Sequence, residues 1–151
     1  MVYEMKQHTS DYFEGILQVR NGSAELITWI HNRIISDGKA KVAKVKKVTN
    51  GVDLYMSDQH YLQSLGKKIK EHQAGILKVS RRLHTVDKMS SKLLYRVTVL
   101  FKALPFKRGD VITLYGEEVK VLTINGQAQV KILKSGVKKH VDLETLSRAV
   151  R

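Results

Sequence analysis

YFEGILQVRNGSAELITWIHNRIISDG, residues 12 to 38, sets a strand directly before a helix, and that pairing decides the class of fold. Over residues 12 to 20, Phe13, Ile16 and Val19 are the apolar anchors of a strand, and Gly15 among them marks an expected bulge. The Ser23 hydroxyl can cap a helix, and Glu25 suits the positive end of its dipole in the first turn. Leu26, Ile27, Ile30 and Ile34 then recur at helical spacing, which predicts one apolar stripe packed on a sheet. Asp37-Gly38 supplies the stop.

Outward from this unit the plan repeats. Residues 41 to 49 and 52 to 56 flank Asn50-Gly51, the pair that best tolerates positive φ angles in a two-residue hairpin. The uneven placing of Val42, Val45 and Val48 predicts a bulge in the first of these strands. Ser57 reads as a second helix cap with Asp58 beside it, and Tyr61, Leu65 and Ile69 repeat every four residues. Gly66 inside that helix costs roughly 1 kcal/mol against alanine, so it marks close packing or close approach of a partner's backbone.

Two long strands follow at 76 to 83 and 93 to 101, joined by the polar stretch HTVDKMSSK at 84 to 92. Leu93, Tyr95, Val97, Val99 and Phe101 form one face of the second strand, with Arg96 and Thr98 on the other. The order β-α-β-β-α-β-β is that of an α+β fold, a split βαβ-like sandwich whose antiparallel or mixed sheet carries two helices on one face. Pro105, the only proline, opens a new pattern, so a first domain is assigned to 1–104 and a second to 105–151. In the second, Gly109-Asp110, Gly116, Asn125-Gly126 and Ser135-Gly136 punctuate four or five short strands without a helix, which predicts a small β-barrel.

Charge points to the partner. Residues 67 to 108 hold twelve basic side chains against two acids, a balance of +10 within a net +13 for the chain. A field that concentrated attracts a polyanion by steering and counterion release. The candidate RNA contacts are Lys67, Lys68, Lys70, Lys78, Arg81, Arg82, His84, Lys88, Lys92, Arg96, Lys107 and Arg108, with Lys138 and Lys139 on the second domain. Alternate strand residues face opposite ways, so Arg82 and Arg96 are expected to share one side and Arg81 the other. Tyr55, Tyr61 and Tyr95 are candidates for base stacking, but spacing assigns Tyr61 and Tyr95 to the core and leaves Trp29 half-buried on the sheet or at the domain junction. A lysine-rich, aromatic-poor surface suits recognition of folded RNA through phosphates and shape.

Other chemistry is not encoded. The absence of cysteine excludes disulfides and thiolate metal sites, and the six histidines show no HxxxH spacing. Asp58 and His60, two apart at a helix start, read as capping rather than as a ligand pair. No nucleophile, glycine-rich phosphate loop or carboxylate array appears, so no enzyme, cofactor or small-molecule substrate is expected. No apolar run approaches the ~18 to 20 residues of a membrane span, and no signal-peptide core opens the chain, which predicts a soluble, cytoplasmic protein without a membrane partner.

GVDLYMS at 51 to 57, YLQSLGKKI at 61 to 69, SRRLHTVDKMSSKLLYRVTVLF at 80 to 101 and FKRGDVI at 106 to 112 resemble the nonsense-mediated mRNA decay protein three family, the export adaptors of the large ribosomal subunit in eukaryotes. YFEGILQVR resembles the strand that opens the family's central region. The resemblance runs from about Asp11 to about Leu146. It implies a central domain similar to a large-subunit ribosomal protein, then an SH3-like barrel similar to that of the hypusine-bearing translation factor. It also implies partners: the large ribosomal subunit, its ribosomal RNA and neighbouring ribosomal proteins. The implied role is subunit assembly or maturation; the alternative is a general RNA-binding or translation-factor module without an assembly role. Family members begin with paired CxxC zinc modules, which this cysteine-free chain lacks, so it is either a fragment or a member that lost them. Short loops and no long leucine-rich tail resemble an archaeal-type member, for which nuclear export is not carried over.

Overall fold

The computed structural model describes residues 12–86, 93–124 and 127–149. They divide into two units, one holding the residues up to Gln73 together with Leu77–Lys102, the other Ala74–Ile76 together with Ala103 onward. The first unit carries β1 (Gly15–Arg20), α1 (Ala24–Asp37), β2 (Val42–Val48), β3 (Gly51–Met56), α2 (Gln59–His72), β4 (Gly75–Val86) and β5 (Leu93–Ala103). Its sheet order is β2-β3-β1-β5-β4. β3 runs antiparallel to β1 and to β2, so β1 and β2 run the same way with β3 between them; β5 is parallel to β1. This is the mixed, split βαβ sheet that the order of elements predicts.

One face of that sheet is continuous core. Leu17 and Val19 of β1 stand beside Leu54 and Val52 of β3 and beside Val99 and Phe101 of β5, and all six are buried. Helix α1 buries Leu26, Ile30 and Ile34. Its ends form as the sequence dictates: Ser23 Oγ accepts from Leu26 N–H, and Gly38, at φ 62°, donates its N–H to the Ile34 carbonyl. Helix α2 buries Tyr61, Leu62, Leu65, Gly66 and Ile69.

The two glycines at the α2 contact correct one expectation and explain another. β1 pairs in unbroken register from Gly15 to Arg20, so no bulge forms there. A Cβ at Gly15 would instead lie 2.5 Å from Leu62 Cδ2 and 2.5 Å from the Val97 carbonyl oxygen. At Gly66 a Cβ would come within 2.9 Å of Val99 Cγ1 and 3.2 Å of Leu77 Cδ1, which is the close packing expected of it.

Three further differences are local. Asp58, not Ser57, caps α2, accepting from the backbone N–H groups of His60 and Tyr61; the Ser57 hydroxyl accepts from Lys41 N–H instead. The β2–β3 turn is Thr49-Asn50, with Asn50 at φ 64°, because Gly51 is already paired with Val48. Its missing side chain serves that pairing, since a Cβ there would collide with the Val19 carbonyl oxygen. The predicted irregularity of β2 is present as a register shift between Val42 and Lys44.

The second unit is an antiparallel meander of β6 (Val111–Leu114), β7 (Glu117–Ile124), β8 (Ala128–Ile132) and β9 (Lys138–Val141), followed by α3 (Leu143–Ser147). Among the described residues no pairing joins β6 to β9, so the sheet is not closed by hydrogen bonds into the expected barrel. The expectation of no helix also fails: Asp142 caps α3 by accepting from Thr145 N–H at 2.7 Å, and Leu146 enters a core with Phe106, Ile112, Val121 and Val130. Five residues are too few for periodicity to reveal a helix. Asn125-Gly126 lies outside the described residues.

Gly15→Ala presses a methyl against backbone, which cannot rotate away, and should cost roughly 1–3 kcal/mol of unfolding free energy. Gly66→Ala meets side-chain ends instead and gains about 1 kcal/mol of helix propensity. Its net effect should therefore be the smaller of the two, read from urea denaturation midpoints at unchanged slope.

Candidate nucleic-acid interface

β5 meets β1 only from Val97, which pairs with Gly15, so the earlier residues of β5 and their neighbours on β4 run beyond the end of β1. Every residue from Lys78 to Thr85 is exposed. Leu94 and Tyr95 are exposed as well, at 43% and 41%. Tyr95 therefore leaves the core to which spacing assigned it. Alternation gave its side of the strand correctly, but it stands past the end of β1.

The two sides of this overhanging hairpin differ. Gly66 approaches both Leu77 and Val99, so these two share the helix-covered side. Alternation then sets Val79, Arg81, Leu83 and Tyr95 on that side, and Lys78, Ser80, Arg82, His84, Leu94 and Arg96 on the other. The first side is mainly apolar, with Val79 and Leu83 about half exposed. Four candidate contacts, Lys78, Arg82, His84 and Arg96, gather on the second. The expected sharing of a side by Arg82 and Arg96, with Arg81 opposite, follows from this placement.

Arg96 is also held in place. Its guanidinium carbon lies 3.9 Å from the centroid of the Phe13 ring. Phe13 meets Tyr55 edge-on, with centroids 4.9 Å apart and planes at 86°. Lys44 Nζ, from the cross-strand neighbour of Tyr55, stands 5.4 Å from the Tyr55 centroid. Sequence reasoning missed Lys44 and Lys46. The run KVAKVKKV sets both on the sheet face opposite the core, beside Tyr55 and Asp53, which is the signal that would have found them. On that face Arg20 binds Asp53 at 2.8 Å.

Other candidates are placed differently. Lys67 and Lys70 are exposed on α2. Lys68 is engaged: its Nζ lies 3.0 Å from Asp37 Oδ2, which also accepts the Tyr61 hydroxyl at 2.7 Å. That clamp ties the end of α1 to α2. The Tyr61 hydrogen bond, then Lys68, hold the Asp37 carboxyl below the usual carboxylate range. Burial, then the Asp37 hydrogen bond, push the Tyr61 phenol up. Lys107 and Arg108 precede β6, and Lys138 and Lys139 lie on β9, all exposed within the second unit. Lys88 and Lys92 lie outside the described residues. Half-buried Trp29 stacks on His72, with centroids 4.0 Å apart and planes at 6°. Among the described residues no cluster of three His, Cys, Asp or Glu could hold a metal ion, and no helix is long and apolar enough to cross a membrane.

A family model described as NMD3, second domain, matches residues 12–102, which run from the approach to β1 through the last turn of sheet before the second unit. The chain belongs to the NMD3 family. NMD3 proteins are ribosome-associated adaptors connected with ribosomal subunit export. The overhanging hairpin and the Phe13–Arg96 contact both fall inside the matched NMD3 domain. No curated protein matches the chain.

The Asp37 clamp gives a pH dependence of fixed sign. A carboxyl whose folded value is depressed stabilises the fold fully above its unfolded value of about 4, and that contribution is lost as pH falls through the folded value. Tyr61 acts at the other end: its raised value favours the fold below pH about 10, and the advantage fades as pH rises further. Asp37→Asn should flatten the acid limb of a melting-temperature profile taken between about pH 2 and pH 6.

Proposed function

We propose that this chain is a non-enzymatic factor that binds the large ribosomal subunit through ribosomal RNA and acts in assembly or maturation of that subunit. The observation that carries this reading is the overhanging β4–β5 hairpin inside the NMD3 match, with Lys78, Arg82, His84 and Arg96 on one side. Cations along one side of an extended hairpin follow a phosphate backbone, and their spacing reads shape rather than base edges. In this reading residues 1–104 form a domain similar to a large-subunit ribosomal protein. Residues 105–151 form an SH3-like domain similar to that of the hypusine-bearing translation factor, and Lys107, Arg108, Lys138 and Lys139 add phosphate contacts there. The division of the chain at Lys102 and Ala103 supports that boundary. The setting is the cytoplasm of an archaeal-type cell, where the particle is matured rather than exported.

Sedimentation with purified subunits tests the proposal. The chain should travel with free large subunits at low salt; since the family resemblance implies a seat on the intersubunit face, joined particles, where that face is covered, should compete poorly. A chain that stays at the top of the gradient overturns it. The variant Arg82→Ala should keep its stability, since surface substitutions usually lie within about ±0.5 kcal/mol. Its log-log salt slope for RNA binding should fall by about 0.7 to 0.9, the value for one lost phosphate contact.

A further inference from the structure

We infer that the open face of the first sheet, at the end where Phe13, Tyr55, Lys44 and Arg96 meet, takes unpaired nucleotides of an RNA strand by stacking. This rests on the RNA-binding reading above and deepens it, because phosphate contacts along the hairpin do not require any base to be unpaired. The register fixes the face. Ile16 of β1 stands between Tyr55 of β3 and Thr98 of β5, and Lys44 of β2 flanks Tyr55, all on the side away from the core. Arg96 lies on the same side, two residues before Thr98 on β5. The basic side of the hairpin therefore continues without a break onto this face.

Chemistry selects the occupant. The acids beside the cations Lys44, Lys46 and Arg96 are engaged: Asp53 is paired with Arg20, and Glu14, next to Phe13, accepts from the Tyr12 hydroxyl and the Gln59 N–H. A basic surface holding aromatic rings complements a strand of phosphates whose bases are exposed. The guanidinium carbon of Arg96 lies 3.9 Å from the Phe13 ring centroid, and in this proposal a base stacks on the side of the guanidinium away from that ring. Its position is set before binding, which lowers the entropy lost when a nucleotide arrives. Tyr55, braced edge-on by Phe13, offers a second π surface beside Lys44. Duplex RNA keeps its bases within the helix and cannot use these planes.

The full chain and two fluorescent probes test this: an oligouridine strand and an RNA hairpin with a fully paired stem. Arg96→Lys keeps the charge and removes the plane. It should weaken oligouridine binding roughly tenfold, well beyond any loss for the paired stem, with the salt slope kept because the charge is kept. Phe13→Leu should act in the same direction with no change of charge at all. Tyr55→Leu should also weaken oligouridine binding, and if it does not fold, the first two variants still decide the matter. Wild-type affinity for oligouridine in both folded variants overturns the inference alone, provided Arg82→Ala still weakens binding to both probes. If the wild-type chain binds large subunits but not oligouridine, the face meets protein and the inference falls. Failure to bind either probe or the subunit overturns this inference and the RNA reading together.

Discussion

The closeness of α2 to the β1–β5 pair is the contact on which the rest of the first unit depends. Gly15 and Gly66 remove two side chains from that junction: a Cβ at Gly15 would meet Leu62 and the Val97 carbonyl, and one at Gly66 would meet Val99 and Leu77. β1 and β5 are parallel neighbours at the centre of the sheet, with the longer route from β3 through α2 to β4 passing over both. A helix held further out would leave Leu65 and Ile69 short of the sheet, with their apolar surface no longer buried. The two glycines give up conformational entropy and helix propensity for a packed junction.

The same junction decides where the chain becomes accessible. Coverage of β5 begins at Val97, opposite the first residue of β1, and everything before it projects. Side chains that would be core one turn of sheet later, such as Tyr95, are exposed only because of that offset. The Asp37–Lys68–Tyr61 clamp joins α1 to α2 through one carboxylate, near the end of α2 whose Leu62 packs at Gly15. The exposed, charged extension and the open sheet face are thereby kept apart from the buried strands and the helices that cover them.

Much of this was legible. Ser23, Gly38, the 26-30-34 stripe and the irregular β2 each followed from a local rule whose cause lies within a few residues. What could not be read depended on distant partners. Gly15 looks like a bulge from sequence because a glycine in a strand has two explanations, and only the position of Leu62, reached through α1, β2 and β3, separates them. Ser57 and Asp58 are both good caps, and Ser57 is withdrawn by the N–H of Lys41. In the candidate interface the charge was visible as composition, but its sorting onto one side of the hairpin needed the contact of Leu77 with Gly66 as an anchor. Lys68 is the counterexample: its charge counts in the field, yet its side chain is held by Asp37.

Both edges of the first sheet, β2 and β4, are coated with cations, and this bears on how that charge is interpreted. An edge strand exposes unpaired backbone groups, and lysine there deters another strand from adding to it. For β2 this is a sufficient reason for Lys47, on the core side of a strand that the helices leave exposed. It does not account for Lys44 and Lys46, which face Tyr55 and Asp53 across the ladder. Nor does it account for the hairpin, where apolar Val79 and Leu83 remain exposed along the longest edge strand. An edge built only to repel would not keep them. Cations on one side and apolar groups on the other fit a strand that is covered in use, and the proposed RNA contact places a phosphate backbone on the basic side.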